Sequence, residues 1–424
     1  MEEVVMNRDI AVTLGVLVFA AGMFIWEKIP LALTSVIASI SLVVFGILTP
    51  AQGFAGFIDP NIIIFFTMFI VGGAMFETGA AEKIGSIVIK YAKTEKQALI
   101  LMFLVAAFLS ALLSNTATTA IFIPITLGIA YKGAVSKSKL LMSMAVASNM
   151  GGGLSLIGTP PNLIVNSVLE QYSGESFGFF EFSIVSLPMV LITVVYYATI
   201  GHKYLPERES LQRIESETTT PTPVWKTNAS MIILAATVLS MFIQPFDIPL
   251  HVSSSIGAIA VVLTKLMSEK QAYASVDFST IFLFSGTLAL AQALNVSGAG
   301  ALIATTFITL LGENASPMVL LVAILFISIP LTNFMSNTAT TAILAPLGFS
   351  IATAMNADPR AVLMATAVGG TIAYLTPIGT PPLTMIYGVG GYKFTDYAKS
   401  NWPIIIISIV VTLVMLPIFF PFFP

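Results

Sequence analysis

From Ala11 onward the chain is written as long apolar runs separated by short polar clusters. About 20 consecutive apolar residues wound as a helix cross the ~30 Å hydrocarbon core of a bilayer with every backbone group internally bonded. In the first half this pattern predicts spanning helices over residues 10–26, 30–48 and 60–78, then an amphipathic stretch at 80–93. An apolar arm from Gln97 to Leu113 follows, then the polar octapeptide SNTATTAI at Ser114–Ile121, then a second arm that ends near Ala130. At about 12 residues, or ~18 Å of helix, the second arm is too short to span. The two arms are therefore expected to enter and leave by one face, as a re-entrant hairpin over about 97–131. From about 140 to 172, two helical pieces flank GGGLSLIGTPP, whose glycines and prolines interrupt a continuous helix. They are expected to form one broken span, with a fifth span over 183–201.

The pattern then repeats. SNTATTAI returns at Ser336–Ile343, IGTPP at Ile157–Pro161 returns at Ile378–Pro382, and the stretch around Asp59 aligns with that around Asp277, Gly79 meeting Gly298 after a one-residue shift. Each half also closes on a span expected to start near a proline, Pro188 or Pro403. The expected fold is an all-α polytopic membrane protein of two repeats. Residues 1–202 form the first and 229–424 the second, which has its own hairpin at about 316–356 and broken helix at about 359–391. A polar cytoplasmic linker, 203–228, joins them. Five crossings per half are an odd number, which turns the second copy over, the inverted arrangement found in many secondary transporters.

Lysine and arginine test that count independently, because cytoplasmic loops hold the excess. With the N-terminus outside, all of the 18 except Arg8 and Arg360 fall on the cytoplasmic side. Lys93 and Lys96 before the first hairpin and Lys132, Lys137 and Lys139 after it put both its ends in the cytoplasm. Composition agrees: 56% of residues are hydrophobic and 9% charged, against about a quarter charged in soluble domains. The first apolar run leads into further spans without a cleavage-site pattern, so no signal peptide is expected. With no cysteine, disulfides and thiolate metal sites drop out.

The repeated motifs carry the candidate chemistry. Ser, Thr and Asn often cap helices or glue membrane helices together. Identical tips in two inverted copies instead point to two surfaces meeting one ligand. Unwound backbone at membrane depth is tolerated only where protein buries it or where it lines a cavity. Two tips and two breaks are thus expected to converge near the midplane. Asn115, Thr116, Asn337 and Thr338 supply amide and hydroxyl donors, and the helices that start there offer free N–H groups to an anion. The same side-chain oxygens and unwound carbonyls also suit a dehydrated cation such as sodium. No ionisable residue lies in either tip or break, which argues against coupling by a titrating carboxylate. Asp59, Glu77 and Asp277 sit at or near helix ends and are expected to cap or face the interface. His202 and His251, at the ends of separate spans, form no credible metal pair.

The paired Ser114-Asn115-Thr116 and Ser336-Asn337-Thr338 tips, with breaks at Thr159 and Thr380 followed by two prolines, resemble the divalent anion:sodium symporter family of dicarboxylate, citrate and sulfate carriers. That resemblance covers nearly the whole chain. It implies a first sodium site of Ser110, Ser114, Asn115 and Gly158 and a second of Thr332, Met335, Asn337 and Gly379. It implies that the anion, of the succinate, malate, fumarate or citrate class, meets Asn115, Thr116, Thr159, Asn337, Thr338, Thr380 and Pro381. A homodimer in the cell membrane is also implied, each protomer moving its substrate unit past a scaffold like an elevator. The second break departs from the pattern, with Leu383 where the first has Asn162.

Sodium-coupled symport of a small di- or tricarboxylate is the function expected. Arsenite or antimonite efflux and sulfate transport are the alternatives within the same superfamily. Sodium/proton exchange ranks lower, for want of a carboxylate at the site. No Ser/His/Asp set, HExxH motif, paired intramembrane aspartates or P-loop supports an enzyme, and no nucleic-acid partner is expected.

Overall fold

In a computed structural model, residues 6–26, 28–131, 136–208, 223–311 and 316–423 are described. The first half comprises α1 (Arg8–Trp26), α2 (Leu31–Val44), α3 (Pro50–Phe54), α4 (Pro60–Glu77), α5 (Ala80–Tyr91), α6 (Glu95–Leu112), α7 (Asn115–Tyr131), α8 (Lys137–Gly152), α9 (Pro160–Ser173) and α10 (Ser183–Thr199). The second runs in the same order: α11 (Val224–Ile243), α12 (Leu250–Leu263), α13 (Glu269–Ala274), α14 (Phe278–Val296), α15 (Ala299–Leu311), α16 (Pro317–Phe334), α17 (Asn337–Ala354), α18 (Pro359–Thr371), α19 (Pro381–Gly390) and α20 (Phe394–Phe419). Among the described residues all regular structure is helical, and 7 helices are long and apolar enough to cross a membrane.

Matching signals start and stop matching helices. Asp59 caps α4 by accepting from Asn61 N–H, and Asp277 caps α14 by accepting from Thr280 N–H. Thr49 with Gln52 and Ser268 with Gln271 close capping boxes on α3 and α13, so four first-turn donors are satisfied by side chains the sequence writes twice. After α4 and α14 the chain turns through Gly79 (φ +68°) and Gly298 (φ +80°), a left-handed backbone that a Cβ would strain. That requirement explains why glycine occupies both positions.

Packing is reciprocal between the halves. The α2 helix lies on α14 and α12 on α4; α8 packs on α19 and α18 on α9; α7 meets α19 and α17 meets α9. This exchange is compatible with two inverted copies. Small hydroxyl residues tie the buried crossings: Thr67 Oγ1 donates to Ser254 Oγ at 2.8 Å between α4 and α12, and Thr78 and Ser230 share a bond of 2.7 Å between α4 and α11. Large apolar side chains face outward instead, Val18, Val44 and Leu263 being 70%, 74% and 75% exposed, as lipid-facing residues are. Helices α6–α10 pack mainly with each other and with α16–α20, whereas α1, α2, α4, α11, α12 and α14 pack with each other.

Two boundaries differ from expectation. Pro188 and Pro403 lie inside α10 and α20, because Ser183–Leu187 and Phe394–Trp402 already satisfy helical geometry ahead of them. Of the expected 203–228 linker, residues 209–222 lie outside the described residues, while Val224–Asn228 already belong to α11. Residues 206–208, just ahead of residue 209, are pinned. Ser138 Oγ donates to Pro206 O at 2.7 Å, Arg208 N–H donates to Ser138 Oγ at 2.9 Å, and the Arg208 guanidinium grips both oxygens of Asp396 at 2.9 and 2.7 Å.

Candidate functional site

The octapeptides are helix starts more than loops. Between α6 and α7 only Leu113 and Ser114 are non-helical, and between α16 and α17 only Met335 and Ser336. Ser114 Oγ accepts from Ala117 N–H at 3.3 Å and Ser336 Oγ from Ala339 N–H at 3.1 Å. With those donors satisfied, the following Ala and Thr residues simply continue the helix. The second arm of the first hairpin is therefore 17 residues rather than about 12. At ~1.5 Å per residue that is roughly 25 Å, still short of the hydrocarbon thickness.

Behind each tip a hydroxyl bridges the asparagine to the neighbouring helix. Ser110 Oγ lies 2.8 Å from Asn115 Oδ1 and 2.6 Å from Ser148 O. Thr332 Oγ1 lies 2.7 Å from Asn337 Oδ1 and also contacts Gly370 O. Both hydroxyls are fully buried. The Asn115 amide oxygen faces only acceptors. Turned over, its NH2 would donate to Ser148 O at 3.1 Å, Gly158 O at 3.1 Å and Ser110 Oγ at 2.8 Å. Several oxygens thus converge on one point, which needs either an amide NH2 or a small cation among them.

The breaks are held by bonds that the sequence only half discloses. Ser155 Oγ donates to Ala111 O and Thr376 Oγ1 to Asn333 O, clamping each break to the adjacent hairpin arm. In the first half Asn162 Nδ2 also spans the break, to Ser155 O at 2.7 Å and Gly152 O at 3.3 Å. Leu383 cannot do this. In its place Asn333, on α16, donates to Ile329 O at 2.7 Å and Ile372 O at 3.1 Å and accepts from Leu375 N–H at 2.8 Å. Thr159 and Thr380 stand at the N-caps of α9 and α19 without side-chain capping bonds, leaving their hydroxyls for other partners. Gly158 packs so closely that a Cβ would sit 2.5 Å from Gly152 O.

Both tips and both breaks border one cavity of about 740 Å³. Asn115, Thr116, Thr159, Asn337, Thr338, Thr380 and Pro381 all line it, as do Ser114, Gly158 and Gly379. Three expected residues do not. Ser110 and Thr332 lie one layer back, behind the asparagines, and Met335 packs in an apolar cluster with Leu42 and Leu283. The opposite wall was not expected: Phe65, Met68, Phe69 and Phe76 of α4 face the cavity, although a Phe- and Met-rich span reads in the sequence as lipid-facing or packing surface. Asp277 caps α14 as expected and also lines the cavity, where it is the single carboxylate among the described lining residues; none of these is Lys, Arg or His. Asn149 of α8 and Ser275, Ser279 and Thr280 around the start of α14 add polar lining that was not expected.

The pattern of a family described as citrate transporter (CitMHS) matches residues 21–369 and 334–423. An uncharacterized transporter of Haemophilus influenzae is 28% identical over 95% of this chain and 90% of its own length. The sodium-dependent dicarboxylate transporter SdcS of Staphylococcus aureus is 27% identical over 95% of this chain and 84% of its own. Among solved structures, the YdaH transporter of Alcanivorax borkumensis superimposes with a TM-score of 0.67 at 14% identity, covering 96% of this chain and 100% of that one. MtrF of Neisseria gonorrhoeae, from a class of antimetabolite efflux pumps, gives 0.59 at 14% identity over 96% and 97%. At that identity the two structures show a shared fold.

Proposed function

The chain belongs to the citrate-transporter family of membrane transporters, and we propose that within it this protein couples sodium to the symport of a small dicarboxylate or tricarboxylate across the cell membrane. The observation that carries this is the lining of the cavity: two Ser-Asn-Thr helix starts and two Thr-Pro-Pro helix starts, with no cationic side chain among the described lining residues. Four helix N-termini and their hydroxyls can hold carboxylate oxygens. They cannot neutralise a dianion withdrawn from water, which costs far more than such bonds return. Co-bound cations can, and that makes coupling a requirement of charge balance.

Asn115, Thr116, Thr159, Asn337, Thr338, Thr380 and Pro381 are the proposed anion contacts. Sodium is proposed to bind among Ser110, Ser114, Asn115 and Gly158, and among Thr332, Met335, Asn337 and Gly379. The convergent oxygens around Asn115 and the matching Thr332–Asn337 contact support both sites. Met335 would contribute its backbone carbonyl, since its side chain faces apolar neighbours. The relatives named as sodium-dependent dicarboxylate transporters support the ion and the substrate class.

The cavity lining includes Phe76 near the end of α4 and Ser275 and Asp277 just ahead of α14, the helix ends on the Lys83 and Lys270 side. With basic residues inside, the cavity opens to the cytoplasm and the linker is cytoplasmic. The separate packing of α6–α10 with α16–α20 supports an elevator-like movement of that unit, and a homodimer through the scaffold helices completes the proposal.

A thermal-shift screen of purified protein against succinate, citrate, sulfate and arsenite, with and without sodium, tests this function. A ligand that binds only the folded state raises the melting temperature. Stabilisation by a carboxylate only when sodium is present is expected. Stabilisation by arsenite or sulfate alone would replace the proposed substrate.

A further inference from the structure

We propose that Asn149 is a positioning residue of the anion site, acting by aiming the Thr380 hydroxyl into the cavity. The proposal rests on the carrier function above, with Thr380 among the anion contacts. Asn149 lies on α8 of the first half and Thr380 at the start of α19 in the second. The Asn149 side chain is fully buried, and its Nδ2 donates to Thr380 Oγ1 at 2.8 Å. It is a direct polar link between the two halves at the cavity wall, and both residues line the cavity.

The direction of the bond matters. A hydroxyl has one proton and two lone pairs. With an amide N–H occupying one lone pair, and with no capping bond made by the Thr380 side chain, the proton is left to point elsewhere. The cavity that Thr380 lines is where an acceptor can meet it. An anion needs its partners as donors, and a hydroxyl fixed as a donor beforehand loses no orientational freedom on binding.

The first break lacks this device. Ser148 and Gly370 are equivalent, each carbonyl contacting the hydroxyl behind its tip, so Asn149 corresponds to Thr371. The Thr371 hydroxyl donates to Val368 O at 2.8 Å, within its own helix. The two ends of the site are therefore unlike, one preorganised at Thr380 and one adjustable at Thr159. A symmetric dianion would be gripped first at the Thr380 end.

Three variants and one double variant test this by succinate uptake into proteoliposomes and by sodium-dependent thermal shift with succinate. Asn149→Leu should raise the half-saturating succinate concentration about tenfold, the scale of one weakened charge-assisted hydrogen bond, with maximal rate and sodium dependence little changed. Asn149→Asp keeps the shape but makes residue 149 an acceptor that draws the Thr380 proton away from the anion, so its loss should be larger. In a Thr380→Val background, Asn149→Leu should add nothing, because the group it acts through is gone. Additive losses would reduce Asn149 to a packing role and overturn the proposal. Wild-type affinity in Asn149→Asp would overturn it as well, by showing that Thr380 donates to residue 149. Binding without transport in the wild type would sink the carrier function and leave the cycle readable by thermal shift; no succinate response at all would overturn both.

Discussion

Replacing Asn333 by alanine should loosen the second break and leave the first unchanged. The side chain makes three bonds, donating to Ile329 O at 2.7 Å and Ile372 O at 3.1 Å and accepting from Leu375 N–H at 2.8 Å, all fully or largely out of water. Ile329 O retains its helical partner, so two backbone groups are orphaned, one N–H and one C=O. Each such group costs about 1–3 kcal/mol when left buried without a partner. Entry of water relieves part of this, and a local cost of about 2–3 kcal/mol follows. In exchange terms, protection of the Leu375 amide should fall roughly 30- to 150-fold. Hydrogen-exchange mass spectrometry on peptides covering 371–380 reads that change directly. Peptides covering 150–160 serve as the internal control, because Asn162 and Ser155 hold the first break independently. Installing asparagine at the position where the first half has it, as Leu383→Asn in the Asn333→Ala background, should restore part of the protection. Unchanged exchange at 371–380, or equal deprotection of both breaks, would refute the claim that the halves secure their breaks by different side chains.

Other consequences follow from the same geometry. Ser110→Ala and Thr332→Ala each remove one buried hydroxyl from the oxygens around an asparagine, and should raise the sodium concentration for half-maximal uptake about tenfold, measured as uptake against sodium concentration. Gly158→Ala places a Cβ 2.5 Å from Gly152 O, where backbone must shift; overpacking of this kind costs about 1–3 kcal/mol, and the ligand-induced thermal shift should be lost. Arg208→Gln frees the Asp396 carboxylate and releases residues 204–208 from α20, so limited proteolysis should cut the joining segment faster than in the wild type.

What the sequence discloses is whatever depends on local chemistry and repeats. Spans follow from apolar length, and caps such as Asp59 and Asp277 from residue type ahead of an apolar run. The tips and breaks stand out because polar or helix-breaking residues occur where lipid forbids them, twice. Asn333 and Asn149 were not legible. Each is one polar residue in a helix that carries other Ser or Thr residues, and its meaning lies in partners that sequence does not bring near: Leu375 for one, Thr380 for the other. The α4 wall escaped for the opposite reason, since Phe65, Phe69 and Phe76 have the composition of a lipid-facing span whether they meet lipid or a cavity. Ser114 and Ser336 were read only as members of the polar tips and not singled out as caps, because Ser, Thr and Asn all serve both purposes.

The most direct test of sodium coupling is uptake of labelled succinate by the purified protein in proteoliposomes, with an inward sodium gradient against an equal potassium gradient. Uptake above the equilibrium level with sodium, at background with potassium, and abolished by both Asn115→Ala and Asn337→Ala, is the predicted result. Equal uptake with either cation, or full uptake in either asparagine variant, would contradict it.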